Sequence, residues 1–252
     1  MKNCEGKSLK SRSAMFIILF LFFAVGFGCI VYPYFYETKD SSIVEKSEDN
    51  QNFYDDATRE LSEEGEWYSV ALGSGYYKVG VHIPEGKYTI SMESGTAFVV
   101  LDDSENGIFI DGIITAEETE GGYEYIENGT DDFRLYKGAH LNIYTSESVL
   151  FATTNAQMPL EYMENPNTES ITFSGEILVG SDIPAGAYDV ICEEGTGNIS
   201  VELKEEGVVQ TITQSKSQVF NNFVFTEETE IRVDETMTIT LTPSKWIDPE
   251  SE

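Results

Sequence analysis

The sequence predicts an all-β protein, with two tandem domains of the β-sandwich or jelly-roll type behind a single N-terminal transmembrane helix. Three observations support this prediction. Residues 13–36 contain no charged side chain, and the motif at residues 75–96 recurs 100 positions later. The rest of the chain shows short alternating segments separated by Gly, Pro and Asn, which is typical of β-strands. Helical periodicity is poorly supported after residue 36.

A basic N-terminus, residues 1–13, precedes a hydrophobic segment, residues 14–36. Roughly 20 apolar residues cross a hydrocarbon core of about 30 Å, so this segment is long enough for one transmembrane helix. Basic residues before it and acidic residues after it predict a single-pass cell-membrane protein, with the N-terminus inside and the bulk of the chain extracellular. Gly26 and Gly28 also fit a signal-peptidase site, and Cys29 a lipid attachment site. Both alternatives leave the same domains outside the cytoplasm.

The acidic character of the chain limits its partners. Its formal net charge is −30, and 44 acidic against 11 basic residues follow Arg12. Such a surface repels nucleic acid and anionic lipid headgroups, so we expect no nucleic-acid partner. A hydrophobic content of 40% is too high for a disordered acidic tail. The chain therefore predicts a folded, acidic ectodomain.

Composition divides this ectodomain into segments. Ser, Glu, Asp and Asn dominate the region after the hydrophobic segment, which predicts an extended acidic stalk. Two prolines mark a linker between the repeats, and a short acidic tail ends the chain. The predicted boundaries are residues 37–65 for the stalk, 66–153 for the first repeat, 154–169 for the linker, 170–245 for the second repeat and 246–252 for the tail.

The repeat is the most specific feature of the sequence. Ten of the 22 positions from 75 to 96 are identical 100 residues later. The shared motif consists of Gly80, Ile83, Pro84, Gly86 and Tyr88 in the first copy, and Gly180, Ile183, Pro184, Gly186 and Tyr188 in the second. We expect residues 83–86 to form a β-turn, since Pro suits its second position and Gly its fourth. A weaker similarity, at an offset of 98, pairs Phe133–Leu135 with Ile231–Val233.

Further strands are predicted where apolar residues alternate. In the first copy they are residues 97–101, 108–114, 123–126, 133–136 and 141–144; in the second copy they are residues 211–212, 220–225, 231–233 and 237–241. Asn-Gly and Gly-Gly pairs separate several of them and mark turns. Short strands at this spacing are typical of a β-sandwich.

The strings Val79–Tyr88 and Val179–Tyr188 resemble a repeat found in many Gram-positive envelope proteins, which carry an N-terminal transmembrane helix or signal sequence and copies of a "VGxDIPAGxY" β-domain. The second copy is the closer match, whereas the first has His82 in place of Asp and Glu85 in place of Ala. That family has no assigned biochemical activity. The resemblance therefore implies an extracytoplasmic location and a tandem architecture rather than a reaction.

Groups for catalysis are scarce. The ectodomain has two histidines, His82 and His140, and the alignment gives neither one a matching group in the second copy, so we interpret both as solvated. Its single cysteine, Cys192, aligns with Met92, which predicts a small apolar core residue. We predict no catalytic residue, no cofactor and no enzymatic activity. A carboxylate-based hydrolase is kept as a minor alternative.

Asp102, Ser104 and Asn106 form the one candidate metal site. Their alternating oxygen ligands before Gly107 resemble the start of a calcium loop. However, Ile113 stands where such a loop needs its bidentate Glu, and the second copy loses the spacing. A hairpin turn of the Asn-Gly type explains the same residues. We expect the turn and keep calcium as the alternative.

Aromatic side chains outside the motif are candidates for stacking on sugar rings or a peptide, with ordinary strand packing as the alternative. They are Tyr76, Tyr77, Trp67, Tyr123, Tyr125, Tyr136 and Trp246. Together these features favour a non-catalytic, membrane-anchored extracytoplasmic binding protein of the cell envelope, whose partner is a wall polymer, a glycan or an envelope protein. The alternative is an accessory or sensor subunit of a membrane complex.

Overall fold

The computed structural model describes Tyr54 and residues 57–117, 126–203 and 208–249. Regular secondary structure in this part of the chain consists of β-strands, and it holds no helix of the length and apolarity needed to cross a bilayer. The predicted cytoplasmic N-terminus, transmembrane helix and most of the stalk lie outside the described residues. The all-β, sandwich-like class predicted from the sequence is confirmed.

The described residues of the first repeat form eight strands: β1 (Glu66–Leu72), β2 (Gly75–Lys78), β3 (Gly86–Ser91), β4 (Thr96–Asp103), β5 (Ile108–Thr115), β6 (Phe133–Leu135), β7 (His140–Thr145) and β8 (Val149–Ala156). They form two antiparallel sheets, with the strand orders β1-β8-β3-β6 and β2-β7-β4-β5. This arrangement is a jelly roll, in which eight strands form two Greek keys around one core.

After the short strand β9 (Met163–Glu164), the second repeat builds the same arrangement. Its strands are β10 (Ile171–Phe173), β11 (Glu176–Leu178), β12 (Gly186–Glu194), β13 (Thr196–Leu203), β14 (Val208–Ser215), β15 (Val219–Phe225), β16 (Glu230–Val233) and β17 (Thr238–Pro243). The two sheets have the orders β10-β17-β12-β15 and β11-β16-β13-β14. Each strand occupies the place of its counterpart in the first copy, so the duplication extends over the whole domain.

A last strand, β18 (Trp246–Ile247), pairs antiparallel with β9. The segments expected to be a linker and an acidic tail therefore each supply a short strand. Because β9 precedes the second sandwich and β18 follows it, their pairing brings the two ends of that domain together.

Strand pairing corrects the later part of the sequence alignment. Tyr88 lies opposite Phe133, and its counterpart Tyr188 lies opposite Phe223, an offset of 90 residues rather than 98. The offset changes because the first copy has a longer connection after β5, residues 116–132, than the second copy has after β14, residues 216–218. The predicted match of Phe133–Leu135 with Ile231–Val233 is wrong. Short alternating strands resemble one another in several registers, so similarity alone does not select the correct one.

The turn of the repeated motif also lies earlier than predicted. The backbone N–H of Gly80 donates to the carbonyl of Ile83 at 2.7 Å, and that of Gly180 donates to the carbonyl of Ile183 at the same distance. Gly80 and Gly180 have φ angles of +92° and +89°, a region that favours glycine. The backbone N–H of His82 donates to the carbonyl of Lys78 at 2.9 Å, and that of Asp182 donates to the carbonyl of Leu178 at 2.8 Å. Residues 78–82 and 178–182 therefore make the turn, and the β-turn expected at residues 83–86 is wrong.

Each sandwich has its own hydrophobic core, and the motif tyrosine lies in it. The hydroxyl of Tyr88 donates to the carbonyl of Pro84 at 2.8 Å, and that of Tyr188 donates to the carbonyl of Pro184 at 2.9 Å. A buried hydroxyl needs such a partner, which explains the repeated Pro-x-Gly-x-Tyr spacing. Cys192 is also fully buried, which confirms its predicted core position, and burial raises the pKa of its thiol.

The two sandwiches share one eight-stranded sheet of order β10-β17-β12-β15-β2-β7-β4-β5. At the junction β15 and β2 lie parallel, with Asn221 beside Gly75. The backbone N–H and the side-chain amide of Asn221 both donate to the carbonyl of Ser74, at 2.9 and 2.8 Å. A Cβ atom on Gly75 would lie 2.6 Å from the carbonyl oxygen of Asn221. The absence of a side chain on Gly75 therefore permits this close contact.

Candidate binding face

Two motif positions that differ between the copies make the same hydrogen bond. Nδ1 of His82 accepts from the backbone N–H of Lys78 at 2.9 Å, and Oδ2 of Asp182 accepts from that of Leu178 at 2.8 Å. Because Nδ1 of His82 is an acceptor, Nε2 carries the proton and donates to the carbonyl of Trp246 at 3.2 Å. The interpretation of His82 as a solvated histidine is therefore wrong. His140, by contrast, is exposed.

His82 and Lys78 connect the first sandwich to the C-terminal strand. Burial lowers the pKa of His82, whereas its hydrogen bond to Trp246 and the nearby carboxylates of Asp189 and Asp248 act in the opposite direction without cancelling the effect. Lys78 forms an ion pair with Asp248. The His-for-Asp difference in the first motif therefore serves a contact between the copies.

The second departure, Glu85, serves a contact with the segment before β1. Its carboxylate forms an ion pair with Arg59 and accepts from the backbone N–H of Lys137 at 2.7 Å. Burial alone would raise the pKa of Glu85, but the hydrogen bonds from Arg59 and Lys137 lower it overall. The guanidinium of Arg59 also lies 5.0 Å from the ring centroid of Tyr136. In the second copy this position is Ala185.

The candidate calcium residues lie in the hairpin between β4 and β5. Asp102 and Ser104 are exposed, whereas Asn106 is buried. The side-chain amide of Asn106 donates to Asp103 at 2.8 Å, and its oxygen accepts from the hydroxyl of Thr58 at 2.7 Å. The three predicted ligands thus lie in different environments. Within the described ranges, no group of three or more His, Cys, Asp or Glu side chains could hold a metal ion.

The aromatic candidates occupy several different places. Tyr77 and Tyr136 are buried in the first core, whereas Trp67, on the edge strand β1, is 75% exposed. Tyr123 and Tyr125 lie outside the described residues. The candidates within the described residues do not form a common stacking surface.

Trp246 is covered by its neighbours. Its ring centroid lies 4.1 Å from that of Tyr162, and the ammonium of Lys245 lies 4.3 Å from it. These contacts hold the strand β18 against the linker. Trp246 is therefore a packing residue between β18 and the linker.

Tyr76 projects from β2 towards the second core. Its ring lies 4.9 Å from that of Phe220 and 5.3 Å from that of Phe223. Tyr144, on the neighbouring strand β7, lies 5.9 Å from Phe220. Both tyrosines are partly buried against the second hydrophobic core. Both tyrosines lie on the outer side of the β2-β7-β4-β5 sheet, and there they pack the first sandwich against the second.

That outer side continues beyond the junction as an apolar surface. Tyr144 lies directly opposite Phe98, and Phe98 lies opposite Ile113. The ring centroids of Phe98 and Tyr144 are 6.3 Å apart and their planes differ by 33°. Phe98 and Ile113 are partly exposed. This row therefore begins at the second sandwich and runs outward to β5, where the backbone carbonyl of Ile113 accepts from the N–H of Ile126 at 2.9 Å.

A second row, with two polar residues, lies beside the first and continues to Tyr76 on β2, which is opposite Asn142. Val100 stands between Asn142 on one side and Asp111 on the other. Val100 and Asn142 are partly exposed, and Asp111 is exposed. We name the two rows together the aromatic face; it comprises Phe98, Val100, Asp111, Ile113, Asn142 and Tyr144.

The corresponding face of the second sandwich is polar. By strand register, the counterparts of Phe98, Val100, Asp111, Ile113, Asn142 and Tyr144 are Asn198, Ser200, Thr211, Thr213, Arg232 and Asp234. The hydroxyl of Thr213 donates to Asn198 at 2.7 Å, and the backbone N–H of Asn198 donates to Asp234 at 2.8 Å. An apolar outer face is therefore not required by the fold.

The sequence predicted the strands of the aromatic face but not the face itself. Alternation indicates which residues point away from the core, but it does not indicate which strands are neighbours. The signal was present in the repeat: outward positions of β4 and β5 are apolar in one copy and polar in the other. That comparison requires the correct register after β5.

Two shallow clefts lie elsewhere on the molecule. One, of about 370 Å³, is next to Arg59, Glu85 and Lys137, and the other, of about 310 Å³, is next to Asn165 and Asn167. The polar groups that line them are engaged in structural contacts. Arg59 and Lys137 bind Glu85, while the amides of Asn165 and Asn167 donate to backbone carbonyls at 2.8 and 2.9 Å. The aromatic face is the stronger candidate for recognition.

No protein-family model matches this chain, and a search of curated proteins finds no match either. The aromatic face and the junction are therefore interpreted from their own chemistry.

Proposed function

We propose that this chain is a non-catalytic, membrane-anchored extracytoplasmic binding protein of the cell envelope, with two tandem jelly-roll domains behind a single N-terminal transmembrane helix. Its binding surface is the aromatic face of the first domain. The observation that carries this proposal is a difference between the two copies. They share their turns and cores, but the outer face of the β2-β7-β4-β5 sheet is apolar in the first copy and polar at the same positions in the second.

Apolar side chains on the aromatic face reduce the stability of the protein relative to polar ones, and the fold does not require them at these positions. Leaving apolar surface in water forgoes about 25 cal/mol for each Å². Asn198, Ser200 and Thr213 demonstrate that polar residues fit the same strand positions in this fold. A contiguous apolar patch on an otherwise acidic surface is typical of an interaction site.

The remaining architecture suits a protein that displays such a face. The two sandwiches are joined through the β15–β2 pair, and β18 pairs with β9 before the second sandwich. The acidic ectodomain repels anionic lipid headgroups, which favours a ligand other than the bilayer surface.

The test is co-sedimentation of the full chain, held in a non-glycosidic detergent, with purified cell-wall material. A variant with Phe98→Asn, Val100→Ser and Ile113→Thr carries the residues of the second copy at three positions. We expect this variant to bind at least about tenfold more weakly, which corresponds to about 1.4 kcal/mol. The matched control is Val224→Thr, which changes a 52% exposed valine on β15 and leaves the aromatic face intact. Equal binding by the wild-type chain and the triple variant would contradict the proposal.

The second candidate is an accessory or sensor subunit of a membrane complex. It is favoured by Gly26 and Gly28 in the predicted helix, since small residues at this spacing permit close approach of another helix. Photocrosslinking from positions in that helix would capture a membrane partner if this candidate is correct, and would give no specific product if the helix is only an anchor.

A further inference from the structure

We infer that the ligand of the aromatic face is a neutral glycan chain, whose sugar rings stack on Phe98 and Tyr144 while its hydroxyl groups bind Asn142 and Asp111. This inference rests on the proposed function and names the ligand class of the same surface.

The first row supplies the stacking platform. Phe98 and Tyr144 lie side by side with only a moderate tilt between their rings, and Ile113 extends the row. Flat aromatic surfaces are suited to the apolar C–H face of a sugar ring because they give a large contact area and lose little conformational entropy on binding. At the end of this row next to the second sandwich, Phe220 packs against Tyr144 and bounds the stacking surface.

The second row supplies the polar groups. Neighbouring rows on one face of a sheet are two residues apart along each strand, about 6.8 Å. A ring stacked on the first row therefore has its hydroxyl edge above the second row. There the amide of Asn142 offers both a donor and an acceptor, and the carboxylate of Asp111 offers acceptors. An apolar platform with a few placed polar groups is the usual composition of a small-ligand site.

The charges around the aromatic face disfavour an anionic ligand. Asp111 and Asp102 lie on this side of the sheet, and the chain as a whole carries a net charge of −30. Lys78, at the β2 end of the same side, is in an ion pair with Asp248. A polymer of phosphates or carboxylates would therefore meet repulsion, whereas an uncharged glycan would not.

The size of the aromatic face disfavours a folded protein as the ligand. A stable protein interface needs about 800 Å² on each partner, or 20 to 30 residues. The aromatic face has six residues by its definition, and the second sandwich covers its inner end. Its residues lie on three neighbouring strands, β7, β4 and β5, which together span about 10 Å, enough for one glycan chain.

The experiment is isothermal titration of the full chain, in a non-glycosidic detergent, with three probes. The first two are neutral hexamers of β-1,4-linked glucose and of N-acetylglucosamine, and the third is anionic polygalacturonate. We expect at least one neutral hexamer to bind and polygalacturonate not to bind. Phe98→Asn and Asp111→Thr, which introduce the second copy's residues, are each expected to weaken binding at least about fivefold, while Val224→Thr leaves it unchanged.

The outcomes separate the two proposals. If wall material binds the wild-type chain but not the triple variant, and neither neutral hexamer binds, the ligand class is wrong and the proposed function stands. Binding of polygalacturonate that Phe98→Asn abolishes would likewise overturn the neutral-glycan inference. If wall material binds the triple variant as well as the wild type, the aromatic face is not the binding surface and both proposals fail. Thermal melting of each variant would establish that lost binding is not lost folding.

Discussion

At the residue scale, the repeated tyrosines show how the residues of a short shared motif maintain the fold. Tyr88 and Tyr188 each return their hydroxyl to the carbonyl of the proline four residues earlier. The intervening glycine leaves room for an asparagine side chain: a Cβ atom on Gly86 would lie 3.2 Å from Oδ1 of Asn155, and one on Gly186 would lie 2.5 Å from Nδ2 of Asn167. The residues shared by both copies therefore maintain the fold, whereas the residues that differ make the contacts specific to each copy.

We expect Tyr88→Phe and Tyr188→Phe each to lower the free energy of unfolding by about 1 kcal/mol, because each removes one buried hydrogen bond and leaves a carbonyl unpaired. Urea denaturation followed by tryptophan fluorescence would measure the change. Tyr162→Phe, at a residue 42% exposed, is the matched control and should change stability little. A loss as large in the control as in the motif variants would contradict the assigned role.

His82 is expected to make stability depend on pH. Its pKa is lowered in the folded state, so the unfolded state binds a proton first as the pH falls below about 6.5. Stability should therefore decrease on acidification below that value, as protonation removes the acceptor for the Lys78 N–H. Tyr77, Lys78, Asp189 and Asp248 surround the imidazole, and the two carboxylates limit the size of the effect.

The measurement is the thermal midpoint at pH 7.5 and pH 5.5 for the wild type, His82→Gln and His140→Gln. The difference between the two pH values should be smaller in His82→Gln than in the wild type. His140→Gln changes an exposed histidine away from this contact and is the matched control. An unchanged pH dependence in His82→Gln would show that other groups cause it.

At the scale of elements, the contact between β2 and β15 determines how the sandwiches are joined. We expect Gly75→Ala to weaken this junction by about 1–3 kcal/mol, the usual cost of forcing extra atoms into a packed site. Its Cβ atom would lie 2.6 Å from a backbone oxygen, whereas the nearest atoms to a Cβ on Gly73 are 3.8 Å away. Gly73→Ala is therefore the control.

Hydrogen exchange of the Asn221 amide, which donates to Ser74, reports on the junction directly. Exchange should be faster in Gly75→Ala and unchanged in Gly73→Ala. If Gly75→Ala exchanges at the wild-type rate, the two strands tolerate separation and the junction depends on the tyrosine contacts instead.

At the scale of the whole molecule, β18 connects both copies. Deletion of residues 246–252 removes the strand, the Lys78–Asp248 ion pair and the carbonyl that binds His82. We expect both sandwiches to stay folded but the segment between β8 and β10, residues 157–170, to become sensitive to protease. Limited proteolysis and small-angle X-ray scattering would detect this change. Deletion of residues 249–252 alone keeps β18 and should behave as the wild type.

The strands predicted best are those whose alternation is complete. Residues 97–101 and 108–114 correspond to β4 and β5 because every second residue is buried. The flanking strands β1 and β8 were not predicted. Their outward positions include Trp67 and Leu150, which blur the polar–apolar pattern. The strands β9 and β18 have two residues each, too few for any periodicity.

The sequence by itself determined the all-β class, the duplication and the core positions of Tyr88, Tyr188 and Cys192, because alternation and a repeated Gly/Pro motif are local properties. Only the tertiary structure decided the register after β5, the shared eight-stranded sheet and the aromatic face. Strand neighbours far apart in sequence are selected by packing and by edge hydrogen bonds, which leave no short-range pattern. For the same reason, the sequence alone does not reveal that β18 covers His82 through the carbonyl of Trp246.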